Sequence, residues 1–125
     1  MLSESDKRAF DRIEIPGAFV MFRKRNKFGF LERSSKPMQL FNLTKSGICF
    51  ECDKKFYTGE PVCVNIQIPG EQSLRLYGKI RWIGDDLIGE AQLIGAQFSA
   101  FGKGRNYNPV RSLDHLRTLQ NKYGN

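Results

Sequence analysis

The sequence predicts an all-β fold: a small six-stranded antiparallel β-barrel with a short C-terminal α-helix. Between Pro16 and Phe98, turn signals divide the chain into short segments in which apolar and polar residues alternate with a period of two. Apolar residues follow helical spacing only near the C-terminus, and there is no internal repeat. Six short strands at this spacing are typical of a small barrel.

The first two predicted strands lie on either side of a long excursion. Ala18–Arg23 is apolar and rich in strand-forming residues. The excursion over residues 26–37 contains turn residues and has room for a short extra strand, and Met38–Thr44 is the second strand. Its alternation predicts Phe41 and Leu43 on the core face and Asn42 and Thr44 on the face away from the core.

The third and fourth strands have the clearest alternation. The turn residues Lys45-Ser46-Gly47 lead into a strand whose predicted core face is Ile48, Phe50 and Cys52. In the fourth strand the predicted core face is Val62, Val64, Ile66 and Ile68. Pro69-Gly70 ends that strand with a turn.

The fifth and sixth strands contain three informative glycines. Leu74, Leu76, Ile80 and Trp82 share one face of the fifth strand and Arg75, Lys79 and Arg81 the other, with Gly78 expected at a bulge or bend. Gly84-Asp85-Asp86 is the expected turn into the last strand. That strand is marked by Ile94, Ala96 and Phe98, and its Gly95 permits the close approach of another chain segment.

A short helix is predicted over about residues 112–122. Ser112 is the expected N-cap, and Leu113, Leu116, Leu119 and Gln120 follow at helical spacing. The leucine face should cover one side of the barrel, because a helix this short is marginal without packing. The chain is therefore expected to be one domain, with a flexible N-terminal segment over residues 1–14 and a barrel with its helix over residues 15–125.

The charge favours anionic partners. Twenty Lys and Arg against thirteen Asp and Glu give a net charge of +7, which attracts nucleotides, nucleic acid or an acidic protein. The N-terminus lacks the apolar stretch of a secretory signal, and no run approaches the ~18 apolar residues of a membrane span. We expect a cytoplasmic protein with no membrane insertion.

Residue patterns of enzymes and metal sites are absent from the sequence. There is no phosphate-binding loop, nucleophile elbow or paired-histidine zinc motif, and the one histidine, His115, is expected to be solvated on the helix. Cys49 and Cys52 are spaced as C-x-x-C, but on a strand their side chains point to opposite faces. With Cys63 they are expected to be ordinary thiols, and we predict a non-enzyme without metal or cofactor.

Two short motifs carry the chemistry. Arg8 and Arg12 form R-x-x-x-R near the N-terminus, and Asn42-Leu43-Thr44-Lys45-Ser46-Gly47 fits [D/N]-x-[S/T]-x-x-G. At these residues, in this order and at this separation, the sequence resembles the PilZ domain. The resemblance extends to the later strands, where Gly78–Trp82 and Ile94–Phe98 look like those of the family.

The resemblance implies a receptor for cyclic di-guanosine monophosphate (cyclic di-GMP), with a flexible arginine segment next to a turn on the barrel. Arg8 and Arg12 would grip phosphate or the guanine edge. Asn42 would accept from a guanine N–H, Thr44 would offer a hydroxyl to the ligand or the turn, and Gly47 would supply a positive φ or a bare backbone. Asn42 and Thr44 stand where many family members have Asp and Ser, which could lower the affinity.

Three further residues are weighed against simpler roles. Lys7 adds a cation before Arg8, and in the family a residue at this place influences whether one ligand or a stacked pair is bound, with a basic residue leaning toward the pair. Lys7, Arg8 and Arg12 could instead be a solvated tail. Trp82 could stack on a guanine, although its parity favours the core, and Ser46 is expected mainly as a turn residue.

The expected function is that of a receptor whose N-terminal segment folds over the ligand and thereby regulates a separate, unidentified partner protein. The resemblance implies control of bacterial motility, adhesion or exopolysaccharide. One alternative is a PilZ-fold adaptor with a vestigial ligand site. Another is a nucleic-acid-binding barrel, suggested by the Arg23–Lys27 cluster close to Phe22, Phe28 and Phe30, although nucleic acid is the less favoured partner.

Overall fold

The predicted six-stranded antiparallel barrel is confirmed. The computed structural model describes residues 15–25, 28–88 and 91–124. Its elements in chain order are the strands β1 (Phe19–Lys24), β2 (Met38–Leu43), β3 (Gly47–Cys52), β4 (Pro61–Gln67), β5 (Leu74–Ile88) and β6 (Ala91–Phe98) and the helix α1 (Val110–Tyr123). All pairings are antiparallel in the order β1–β2–β3–β6–β5–β4, and β4 pairs with β1 to close the barrel.

The barrel interior is filled by inward-facing apolar side chains. Phe22 and Phe50 are fully buried with ring centroids 5.6 Å apart, and the ring of Phe56 lies 5.7 Å from that of Phe22. The predicted core faces of β3 and β4 are buried throughout, which confirms the period-two alternation there. Leu116 and Leu119 of α1 belong to the same buried cluster, so the helix packs on the barrel as expected.

The excursion after β1 holds no strand of its own among its described residues. It makes one antiparallel bridge, between Arg25 and Leu31, and otherwise hydrogen-bonds to β1. The Ser35 N–H donates to the Phe22 carbonyl at 2.8 Å, and the Phe22 N–H donates to Ser35 Oγ at 2.9 Å. Because β1 and β2 pair only at Phe19/Gln39 and Val20/Met38, the excursion satisfies the rest of this β1 edge.

Two bulges shift the side-chain faces that strict alternation predicts. In β2 the register shifts between Leu40 and Asn42, so Leu40 and Leu43 are buried while Phe41 is only half-buried. In β5 it shifts between Ile80 and Trp82, while Gly78 pairs regularly with Val62 and Phe98. The predictions of Phe41 in the core and of a bulge at Gly78 are therefore wrong, because the extra residues lie elsewhere along the strands.

The expected turn at Gly84-Asp85-Asp86 is also wrong. Strand β5 continues to Ile88, which pairs with Ala91 of β6. Between Ile83 and Leu87 the register shifts again, so that extra residues of β5 are taken up without reversing the chain.

The helix begins earlier than its polar residues suggest. Pro109, at φ −62° and ψ 139°, is the N-cap of α1, and Ser112 is instead a buried residue whose N–H donates to the Pro109 carbonyl. The fixed φ of proline suits a chain that changes from extended to helical backbone, which explains the start of the helix there. No helix within the described ranges is long and apolar enough to span a membrane.

Candidate functional site

A shallow depression on the barrel surface, about 270 Å³ in volume, brings together five of the sequence-predicted site residues. Its walls come from the turn between β2 and β3, the bulge of β5 and the middle of β6. The predicted residues in it are Asn42, Thr44, Ser46, Gly47 and Trp82. Residues far apart in the chain thus form one surface.

The side chain of Thr44 organises the turn. Its Oγ1 accepts the backbone N–H groups of Ser46 at 3.1 Å and Gly47 at 2.9 Å, while the Thr44 N–H donates to the Gly47 carbonyl at 2.9 Å. The Ser46 hydroxyl lies 3.2 Å from Thr44 Oγ1. Of the two roles predicted for the Thr44 hydroxyl, the structure shows the one in the turn backbone. Ser46 is a turn residue that also borders the depression.

Gly47 permits close contact between β3 and β6. It pairs with Gln97, and a Cβ at this position would lie 2.6 Å from the Ala96 carbonyl oxygen. Its φ is not positive. The expected positive φ at Gly47 is therefore wrong, and the absence of a side chain serves the approach of the neighbouring strand.

Asn42 presents its amide to the depression. It is half-buried and lies opposite Cys49 beyond the β2 bulge. Within the described part of the chain its side chain makes no hydrogen bond, so the amide oxygen can accept and the amide nitrogen can donate. This face of the turn has the chemistry to recognise a polar ring edge.

Trp82 lies outside the core. The bulge between Ile80 and Trp82 turns the indole outward, where it is 46% exposed and lines the depression. The ring lies directly on Gly95, since an added Cβ there would overlap the indole. The favoured prediction of core packing for Trp82 is therefore wrong, while the predicted close approach at Gly95 is confirmed and Trp82 is the side chain that makes it.

The sequence analysis missed two residues of the depression. Arg81, the residue within the β5 bulge, and Gln97 of β6 both line it and are exposed. In the described part of the chain, Arg81 is the only charged residue of this lining, so the surface attracts anions. Alternation placed Arg81 outward, but only the strand order brings it next to the turn at Thr44.

Lys7, Arg8 and Arg12 lie outside the described residues. The basic cluster that follows β1 is partly used within the fold. Arg23 Nε donates to the Glu32 carbonyl at 2.9 Å, and Lys24 Nζ lies 3.2 Å from the Glu60 carboxylate.

The three cysteines are free and buried. Burial raises the pKa of the Cys52 thiol from 9.0 to about 11, and the thiol donates to the Lys54 carbonyl. Cys52 lies in the core cluster, whereas Cys49 borders the depression, so the two sulfur atoms lie on different faces of β3 as predicted. Among the described residues, no group of potential metal ligands lies together.

Comparisons with known proteins agree with this architecture. The family model of the PilZ domain matches residues 6–105. The solved structure of the Bacillus subtilis inhibitor of motility, MotI/DgrA, is similar with a TM-score of 0.64 at 15% sequence identity; the alignment covers 98% of this chain and 56% of that chain. This chain thus spans little more than half the length of that protein, and at this identity the likeness concerns the fold. No curated protein sequence matches the chain.

Proposed function

The chain belongs to the PilZ domain family, and on this premise we propose that it is a non-catalytic cytoplasmic receptor for cyclic di-GMP that regulates a separate protein. The observation that carries the proposal is the depression in which Asn42, the Thr44 turn, Arg81 and Trp82 converge. A guanine nucleotide offers the matching groups: a flat ring with polar edges, and phosphates.

The described residues have distinct proposed roles. Trp82 supplies a flat, exposed ring on which a guanine can stack, and Arg81 supplies a guanidinium for a phosphate or for the O6/N7 edge of the base. Asn42 accepts from a guanine N–H. Thr44 and Gly47 act on the protein itself, by holding the turn and its distance from β6.

The N-terminal motif supplies the remaining charge in this proposal. Arg8 and Arg12 would add charge-assisted contacts to the phosphates, and Lys7 would favour a stacked pair of ligands over a single one. Folding of this segment over the depression would change the surface that the barrel shows to its partner. The similar solved structure is that of an inhibitor of motility, so we propose motility, adhesion or exopolysaccharide production as the regulated process.

The test is a calorimetric titration of the purified protein with cyclic di-GMP. We expect binding that Arg8→Ala/Arg12→Ala and Asn42→Ala each weaken, because a lost charge-assisted or paired contact costs about 1.5–3 kcal/mol. Arg111→Ala/Arg117→Ala removes the same number of arginines from the exposed face of α1 and should bind like the unaltered protein. The measured stoichiometry distinguishes one ligand from two.

Two results would contradict the receptor proposal. Unaltered protein that fails to bind cyclic di-GMP would favour an adaptor with a vestigial site. Equal affinity for cyclic di-GMP and single-stranded RNA, with a steep dependence on salt, would favour the nucleic-acid-binding alternative.

A further inference from the structure

A second and larger concavity lies further along β5. It has a volume of about 640 Å³ and shares no lining residue with the candidate ligand site. Three parts of the chain form it: the start of β4 with the outward face of β5, the excursion after β1, and the loop between β6 and α1. We call it the β5 groove, and the side chains that matter are Arg25, Leu31, Tyr77, Lys79, Arg105 and Tyr107.

The β5 groove carries unbalanced positive charge. Arg25, Lys79 and Arg105 come from its three different walls and are all exposed. In residues 15–25, 28–88 and 91–124, none of the three forms an ion pair and no carboxylate lines the groove. By contrast, the neighbouring Lys24 is paired with Glu60. An anionic occupant would therefore meet three cations that this part of the fold leaves unneutralised.

Exposed aromatic side chains concentrate around the same groove. Tyr77 and Tyr107 line it at 37% and 50% exposure. Phe28 and Phe30, at 73% and 71%, belong to the loop whose two ends, Arg25 and Leu31, lie in the groove wall. These four are the majority of the seven large hydrophobic side chains that are exposed in the described residues. Aromatic residues together with arginine are the residues that protein interfaces favour.

The wall beyond β6 is fixed in place by Asn108. Its fully buried side chain accepts the Tyr77 N–H at 2.9 Å and donates to the carbonyls of Tyr77, at 2.9 Å, and Ser99, at 3.0 Å. The Tyr107 ring rests on Gly102 and Gly104, where an added Cβ would come within 3.2 Å and 3.5 Å of the ring. The loop that carries Arg105 and Tyr107 is thus held against β5, so the groove is formed before any partner arrives.

We infer that the β5 groove binds an acidic segment of a partner protein in which aromatic or aliphatic side chains alternate with carboxylates. The inference gives the chemistry of the partner that the proposed function requires, and it rests on that function only for the idea that such a partner exists. Carboxylates would pair with Lys79 and Arg105, and apolar side chains would pack on Tyr107 and Leu31.

The geometry favours a peptide over the other polyanions. Each tyrosine ring of the groove already has a neighbour: Arg75 lies over Tyr77 at 5.9 Å, and the two glycines lie against Tyr107. A single-stranded nucleic acid needs open ring faces for successive bases. A lipid surface is broad, whereas this site is a concave groove between three chain segments. An extended chain with carboxylates and side chains of mixed size fits both the charge and the shape.

The test measures fluorescence anisotropy of a fluorescein-labelled peptide with the repeat Glu-Glu-Phe, without cyclic di-GMP. We expect binding that weakens with added salt and that Lys79→Glu/Arg105→Glu reduces about tenfold or more. Arg111→Glu/Arg117→Glu changes the net charge equally and should have little effect. Tyr107→Ala, compared with Tyr57→Ala at another exposed tyrosine, should weaken binding without any change of charge.

The outcomes separate the inference from its rivals. Equal effects of the two charge reversals, or of the two tyrosine substitutions, would overturn it. It would also fail if labelled oligothymidine or phosphatidylglycerol vesicles bound more tightly than the peptide and lost binding in Lys79→Glu/Arg105→Glu. Calorimetry of that variant with cyclic di-GMP should match the unaltered protein. Peptide binding by a protein that does not bind cyclic di-GMP would leave the groove assignment standing and contradict the receptor proposal alone.

Discussion

The indole of Trp82 lies flat against the backbone of Gly95, on the strand that pairs with its own. The two residues are register partners beyond the β5 bulge, and a Cβ on Gly95 would overlap the ring. The bulge turns Trp82 outward, and the glycine gives the ring a surface on which to rest. Together they fix the orientation of the largest aromatic side chain in the candidate site.

Replacing Gly95 should therefore act through Trp82. In Gly95→Ala the new methyl group displaces the indole, and the overpacking costs about 1–3 kcal/mol of unfolding free energy. We expect tryptophan fluorescence to change and cyclic di-GMP to bind more weakly, as measured by calorimetry. The control is Trp82→Ala: in that background Gly95→Ala should have no further effect on ligand affinity. A full effect of Gly95→Ala without the indole would contradict the arrangement.

The hydroxyl of Thr44 should be the part of that side chain that matters. Thr44→Val keeps the shape but removes the acceptor for the N–H groups of Ser46 and Gly47, with an expected loss of about 0.5–1.5 kcal/mol in urea unfolding. Thr44→Ser retains the acceptor and should be close to the unaltered protein. If valine and serine give equal stability, the turn does not depend on this hydroxyl.

Asn108 should be intolerant of charge. In Asn108→Asp an ionised carboxylate would face the carbonyls of Tyr77 and Ser99 and could not donate to them. Because only the protonated form can donate, the stability of this variant should fall as the pH rises above about 4. Asn106→Asp, at the exposed neighbouring asparagine, is the matched control. Chemical unfolding at several pH values measures both, and equal pH profiles would contradict the predicted difference.

The Cys52 thiol should make stability depend on alkaline pH. Burial raises its pKa to about 11 from a value of 9.0 for the exposed group. The unfolded chain therefore loses this proton first, and the contribution of Cys52 to stability, complete below pH 9.0, is lost as the pH rises toward about 11. The difference in urea midpoint between the unaltered protein and Cys52→Ala should narrow across that window. Cys63→Ala should retain the pH dependence of the unaltered protein; parallel curves for all three would show that Cys52 does not carry it.

The fold followed from the sequence because most strands obey the simplest rule of β-structure. Ile48, Phe50, Val64 and Ile66 alternate without interruption, and each is buried. The turn at Lys45-Ser46-Gly47 was visible from its residues alone. The motif positions Asn42 and Gly47 could therefore be assigned to a hairpin before any coordinates existed.

The errors arise where extra residues enter a strand. A bulge moves every later side chain to the other face, and no residue between Ile80 and Trp82 marks its position in the sequence. Trp82 was consequently expected in the core, and Arg81 was not recognised as a neighbour of the Thr44 turn. Pairing between β3, β6 and β5 decides both, and such pairing depends on contacts distant in sequence.

Strand β5 places the two surfaces side by side. Arg81 faces the depression and Lys79 faces the groove, and at about 3.3 Å per residue their positions are roughly 7 Å apart along the strand. That spacing is shorter than the Debye length of about 8 Å at physiological ionic strength. An anion held at one surface thus lowers the electrostatic potential at the other. Occupants of the two surfaces that are both negatively charged oppose each other's binding, and by thermodynamic linkage they do so equally in both directions.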